Sequence, residues 1–244
     1  MPPARNRRTH DIGPLWRRRH GGPVRKLCVT VGAGCPNRDG RAGRGGCIYC
    51  AEGPRRSAAP PLDDQIARGL ARLQRGTAVV GYLQDHSATD IAPGQLQRVL
   101  ETLARVPGLV GITVGTRPDC LGPEVMEVLA RARSWPNLEL TVELGLQSAR
   151  EETLELLNRG HDLDCFRTAI DELQRAGMRT CAHVILGLPT PAASPDALAV
   201  EGVDHAIGAA RLLGELQITA VKIHNCHVLR GTALARLYEA GRYH

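Results

Sequence analysis

Aromatic residues are scarce in this chain, with one phenylalanine, four tyrosines and two tryptophans among 244 residues. That excludes a base-stacking platform for single strands, so any contact with nucleic acid would be led by charge. No apolar run approaches the roughly 20 residues that a spanning helix needs, and the first residues lack the apolar stretch of a secretory signal. A cytoplasmic protein without a membrane partner is expected. Lysine occurs only at positions 26 and 222, so the net charge of +6 rests almost entirely on arginine. No Pro-rich or Ser-rich linker splits the chain, and its length suits one barrel-sized domain with a sizeable core.

Cysteine, by contrast, is plentiful. Eight in a chain this long do not make a secreted disulfide framework, so they read as free or metal-bound thiols in a reducing compartment. Three of them, Cys35, Cys47 and Cys50, stand in CPNRDGRAGRGGCIYC, with eleven residues between the first two and two between the last two. The loop is too rich in glycine and arginine for a core segment. Three converging thiolates can hold three irons of a 4Fe-4S cluster and leave the fourth iron open. A closed tetrahedral zinc site is the rival, although zinc wants a fourth ligand. The nearest further cysteine, Cys28, lies in LCVTVG, which reads as a strand. Spacing alone leaves both metals standing.

Arg5, Arg7, Arg8, Arg17, Arg18, Arg19 and Arg25 crowd residues 1–25, which show neither helical nor strand periodicity. This segment reads as a basic arm, either for phosphates or simply solvated. From residue 26 to 244 short apolar runs alternate with amphipathic stretches, as in repeated strand and helix units around a parallel sheet. Strands are expected at 27–32, 78–84, 110–117, 138–147, 180–188 and 218–228. Helices are expected at 63–75, 93–106, 122–134, 149–159, 164–176, 201–216 and 232–240. Six units fall short of the eight of a closed barrel, so the expected fold is α/β: a partial (β/α)6 TIM-type barrel of parallel strands with outer helices. PTPAASPDA after the fifth strand reads as a long exposed loop.

Side chains alternate across a strand, and the alternation bears on function. In LELTVELGLQ the positions Leu138, Leu140, Val142, Leu144 and Leu146 are apolar, while Thr141, Glu143 and Gln147 face the other way. Thr30, Gln84, Thr113, Arg117, His183, Lys222 and His224 extend that polar face. Burying such groups unpaired costs several kcal/mol each, so they point to a wet or ligand-filled lumen. Arg117, His183, Lys222 and His224 are its candidate catalytic side chains, although Lys222 and Glu143 also suit a buried structural pair.

GCPNRDGRAGRGGCIYC, GITVGTRPDCL, VELGLQS, NRGHD and HVILGLP resemble, in order, a group of uncharacterised bacterial radical S-adenosylmethionine (SAM) proteins related to the elongator-type enzymes that modify transfer RNA. The resemblance runs from about Lys26 to the C-terminus. It implies a partial barrel in which Cys35, Cys47 and Cys50 hold a 4Fe-4S cluster whose open iron chelates SAM. It implies Tyr49 near the adenine, Gln84 at the SAM amino group, and Glu143, Gln147 and Ser148 along ribose and methionine. The backbone from Ile185 through Gly187 to Pro189 would pair with adenine. An electron donor such as flavodoxin or ferredoxin is implied, with reductive cleavage to a 5'-deoxyadenosyl radical that takes hydrogen from a substrate.

VKIHNCHVLRGTALARLYEAGRY resembles the end of the elongator-type radical domain and makes transfer RNA the first partner to consider, with a small metabolite or a protein side chain as the others. Thr190 and Pro191 depart from the glycine and glutamate common in the family after the fifth strand, and SATD at 87–90 departs from its usual wording. Relatives generally continue past the last helix, so a fragment or a shorter C-terminal part is expected. A zinc-stapled, arginine-rich RNA-binding protein without catalysis is the competing class.

Overall fold

The structure is a computed structural model and describes residues 12–51, 58–192 and 198–244. Six strands, β1 (Val24–Val29), β2 (Ala78–Leu83), β3 (Leu109–Thr116), β4 (Glu139–Gln147), β5 (Arg179–Leu186) and β8 (Ala220–Asn225), form one sheet in the order β1-β2-β3-β4-β5-β8. Every neighbouring pair is parallel. The sheet curls into a half barrel, since no pairing joins β8 back to β1 among the described residues. Helices α3 (Leu62–Leu70), α4 (Pro93–Ala104), α5 (Pro123–Arg133), α6 (Glu151–Leu156), α7 (Leu163–Arg175) and α8 (Val203–Glu215) connect the strands, and α9 (Ala233–Glu239) follows β8. Among the described residues no helix is long and apolar enough to cross a membrane.

The core lies between the outer face of the sheet and these helices. Leu140, Val142, Leu144 and Leu146 of β4 are wholly buried against it, as the alternation required. α7 shows how a helix is matched to this face. Asp162 caps its start by accepting from Cys165 N at 2.8 Å, and Phe166, Ala169, Ile170 and Leu173 recur at helical spacing on its buried side. Gly177, with φ 69°, lets the chain turn out of that helix. Each large apolar side chain so buried contributes about 1.5–3 kcal/mol over leaving it exposed.

Three departures from the expected pattern matter. Residues 12–20 are helical, as α1 (Ile12–His20), and β1 begins at Val24, so the stretch without visible periodicity is partly ordered structure. Arginines 17–19 hid the pattern because they fill the last turn of α1, where cations suit the helix dipole. Arg5, Arg7 and Arg8 lie outside the described residues. PTPAASPDA opens with β6 (Pro189–Pro191), which pairs antiparallel with β7 (Leu198–Val200) just after it, and residues 193–197 lie outside the described residues. The helix expected over 149–159 closes early as α6, because Asn158 (φ 54°) and Gly160 (φ 74°) take left-handed backbone that a helix cannot continue.

Candidate active site

The cysteine loop leaves β1 and is fastened by residues far away in sequence. Within it, α2 (Pro36–Asp39) starts directly after Cys35 with proline at its first position and stops at Gly40 (φ 94°). The Asn158 amide donates to the carbonyls of Arg44 and Gly46, both at 2.8 Å, and Ile48 N donates to Leu157 O at 3.0 Å. Asn37, fully buried, donates to Asn158 O at 2.6 Å and reaches Cys47 Sγ at 3.6 Å. A Cβ on Gly160 would stand 2.7 Å from Asn37 Oδ1, so only glycine permits that approach. Buried Arg159 donates through Nη2 to Gly145 O at 2.8 Å and through Nη1 to Cys47 Sγ at 3.6 Å.

The NRG of NRGHD is therefore a clamp on the loop, a role that sequence analysis did not give it. The available signal was an arginine between Asn and Gly, the residue types that tolerate left-handed backbone. Asp85 was also missed. It accepts from Thr30 Oγ1 at 2.6 Å, Val31 N at 2.8 Å and Ala33 N at 3.1 Å, and so ties the start of the loop to the end of β2.

Cys35, Cys47 and Cys50 line one cavity of about 200 Å³ at the C-terminal ends of the strands, together with Tyr49, Gln84, Arg117, Glu143, Gln147 and His183. Gln147 sits there with φ 75°, beside a register shift between β4 and β5, which is a strained conformation for a residue with a side chain. Ser148, Ile185 and Gly187 line a neighbouring cavity of about 260 Å³, to which Gln147 also contributes. The Ser148 hydroxyl donates to Glu201. His224 is exposed and lies outside both cavities, its ring centroid 5.2 Å from that of His183.

Glu143 forms the floor of the cysteine cavity. Its Oε2 accepts from Lys222 Nζ at 2.7 Å, Tyr82 Oη at 2.8 Å and His183 Nε2 at 2.8 Å. Burial alone would raise this carboxyl, but the bonds from His183 and Lys222 outweigh it and hold it at about 2. Lys222 also reaches Tyr82 Oη at 3.1 Å, and Lys26 Nζ stands 4.4 Å from the centre of the Tyr82 ring. Tyr82 was not singled out from the sequence, although it lies two residues before Gln84 on the same face of β2.

The walls carry positive charge. Arg38, Arg117 and Arg159 all line the cavity, and each keeps one buried guanidinium nitrogen (Nη1, Nη1 and Nε) with no hydrogen-bond partner among the described residues. The other nitrogens of Arg117 bind Asp119 at 2.8 and 2.7 Å. Burial pushes the Cys50 thiol up; Cys47 adds to the shift and Arg38 opposes it.

The model of the Radical SAM superfamily matches residues 29–194, from the last residue of β1 across the cysteine loop and through β2 to β5. The chain belongs to the radical SAM superfamily. It is a radical SAM enzyme of α/β half-barrel architecture, as its sequence resemblance implied. This radical SAM chain is 32% identical over 228 residues to Protein YhcC of Escherichia coli K12, spanning 92% of this chain and 70% of YhcC. It is 27% identical over 135 residues to the tRNA uridine(34) acetyltransferase of Methanocaldococcus infernus, spanning 55% of this chain and 23% of that protein. Among solved structures, the archaeal Elp3 of Methanocaldococcus infernus with its N-terminus deleted shares the fold at a TM-score of 0.61 and 17% identity, over 90% of this chain and 50% of that one.

Proposed function

We propose that Cys35, Cys47 and Cys50 hold a 4Fe-4S cluster with SAM bound beside it, and that the substrate is an RNA, transfer RNA first. The observation that carries the cofactor reading is the cavity wall, where three thiols of one loop face three arginines with unpartnered buried nitrogens. A buried donor without a partner costs about 1–3 kcal/mol, and an anionic cluster or the carboxylate of SAM is the kind of group that would satisfy it. The donor set also favours a cluster over one zinc ion. Zinc ligands converge on a single point, and among the described residues no three Cys, His, Asp or Glu side chains do so. Cluster thiolates are spread over separate irons.

When bound, these groups supply a one-electron reductant and a carbon radical able to take hydrogen from a substrate. The residues of the chain orient and tune. Asn37 and Arg159 direct N–H groups at the Cys47 sulfur, contacts that stabilise the more reduced state. Tyr49, Gln84 and Gln147 are proposed to hold SAM, with the backbone of Ile185 to Pro189 taking the adenine and Ser148 beside it. Glu143, tied to three donors, is a fixed floor rather than a free ligand. Arg117 and His183 of the cavity wall, with the more distant His224, are the groups proposed to face the substrate; Lys222, which lines the space beneath Glu143, is proposed to act through that carboxylate. The electron would come from a flavodoxin or ferredoxin.

Transfer RNA is supported by the similarity to a tRNA-modifying protein and by the last turn of α1, where Arg17, Arg18, Arg19 and His20 gather. Arg19 already pairs with Glu139 at 2.6 Å, so Arg17 and Arg18 are the residues to test. Protein reconstituted without oxygen should hold about four irons per chain and lose them on alanine substitution at Cys35, Cys47 or Cys50. Stoichiometric zinc with no iron uptake would end the cofactor reading. Affinity for transfer RNA should fall steeply with salt and drop further in Arg17→Gln/Arg18→Gln. Salt-independent binding, with SAM cleavage that transfer RNA does not accelerate, would move the substrate to a small molecule.

A further inference from the structure

A second, larger cavity of about 430 Å³ lies on the opposite side of the Glu143 floor, between α1 and the N-terminal halves of the strands. Its volume falls within the roughly 300–1,000 Å³ of small-molecule sites. Parallel barrels ordinarily fill this layer with bulky branched side chains. Here four of the inward positions are small, Gly111, Thr141, Cys181 and Ala220, and all four line the space. Gly111 cannot be enlarged without a shift, since a Cβ there would meet Glu139 O at 2.9 Å. The room is thus written into four different strands.

The lining also has a chemical bias. Four cationic side chains, Arg19, Lys26, Arg179 and Lys222, face two carboxylates, Glu139 and Glu143. Glu139 is shared, with Arg19 at 2.6 Å and Arg179 at 3.9 Å, and Glu143 is taken by Lys222 at 2.7 Å. Among the described residues Lys26, itself exposed, has only the face of Tyr82 as a partner. Leu15 and Trp16 of α1, with Val80 and Val110, supply an apolar part of the lining. An uncompensated cation beside an apolar wall and an indole favours an anion that carries a flat apolar body.

We infer that this lower cavity is a ligand site, separate from the cysteine cavity, for a small organic anion with an aromatic or fused-ring body. The inference stands on the cavity alone and does not depend on the cofactor reading, so its test uses no reductant, iron or SAM. The probe is 2-naphthoate. Trp16 and Trp135 are the two tryptophans, so the full-length Trp135→Phe protein reports on Trp16 alone. Titration should change its emission saturably with one 2-naphthoate per chain. Lys26→Gln should weaken binding at least fivefold, and uncharged 2-naphthamide should bind at least fivefold more weakly than the anion.

Thr141→Leu, which fills the space, should abolish binding while the circular dichroism and the thermal midpoint show a folded protein. If that variant does not fold, the Lys26→Gln and naphthamide comparisons decide alone. A linear, unsaturable response in the parent would overturn the inference, as would full affinity in a folded Thr141→Leu. Equal binding of acid and amide would overturn the ligand class.

Discussion

Arg159 places one guanidinium nitrogen 3.6 Å from the sulfur of Cys47 and another 2.8 Å from the carbonyl of Gly145. The same side chain thus joins the cysteine loop to the end of β4. The approach needs Gly145, because a Cβ there would stand 2.5 Å from Arg159 Nη2. Burial works against the charge of Arg159, yet Tyr49 and Cys47 hold the guanidinium firmly protonated. A permanent buried cation with an N–H on a thiolate sulfur stabilises extra negative charge at that sulfur.

Arg159→Lys removes that fork but keeps a cation. In reconstituted protein we expect iron content near that of the parent and a midpoint potential more negative by on the order of 60 mV, equivalent to a tenfold change in a one-electron equilibrium. Redox titration followed by visible absorption checks this. An unchanged potential with unchanged iron would show that the contact to Cys47 has no influence on the site.

Gly160→Ala tests the clamp from its other side. The residue has φ 74° and would press its Cβ to within 2.7 Å of Asn37 Oδ1, so strain and displacement of Asn37 are expected together. The cost should be about 1–2 kcal/mol in urea unfolding, with iron loading reduced severalfold. Gly177→Ala, at another left-handed position (φ 69°) with open space around it, should cost similar backbone strain and leave iron loading alone.

The half barrel was legible because its strands alternate: Leu140, Val142, Leu144 and Leu146 pack outward while Thr141 and Glu143 point inward. The same rule reaches Tyr82 from Gln84, so that residue was within reach of the argument. The clamp was not, since Asn158 and Arg159 meet the cysteine loop across sequence separations of 112 to 121 residues, and no local pattern records such a contact. α1 escaped for a local reason. Its short apolar face is Leu15 and Trp16, next to three arginines; both line the lower cavity, yet Leu15 stays 48% exposed, so little burial marks the helix in the sequence. The separation of Ser148 from the cysteine cavity also depends on geometry, namely the left-handed turn of the backbone at Gln147.

Glu143 makes stability depend on pH. Its carboxyl titrates at about 2 in the folded protein against an ordinary 4.5, so the unfolded chain binds more protons between those values. Its contribution is fully present above about pH 4.5 and is lost as pH falls toward 2. Glu143 is itself buried, but its partners His183 and Lys222 are 21% and 29% exposed, so solvent screens the cluster and the contribution is on the order of 2 kcal/mol. Glu143→Gln should flatten the urea midpoint across that window and lower stability at neutral pH by roughly 3 kcal/mol, since Lys222 loses its partner. Adding Lys222→Met should restore part of the loss; strict additivity would show that the two side chains are not coupled.

Tyr243 is buried, and its hydroxyl donates to the carbonyl of Gly187, while Arg242 O accepts from Leu198 N at 3.0 Å. These contacts pin the turn after β5, where Gly187 has φ 76°, and that turn is the backbone proposed to take the adenine of SAM. Tyr243 lines neither the cysteine cavity nor its neighbour, so it would act as a positioning residue. Tyr243→Phe deletes the hydroxyl with little change of shape, and the freed Gly187 carbonyl can turn toward water. We expect SAM affinity, measured by equilibrium dialysis on reconstituted protein, to fall about threefold to tenfold, in line with the roughly 1 kcal/mol of one hydrogen bond. Iron content should stay at the parent level. A parent that loads iron but does not bind SAM would refute the cofactor proposal itself, whereas a variant that binds SAM as tightly as a competent parent would refute only the role given to Tyr243.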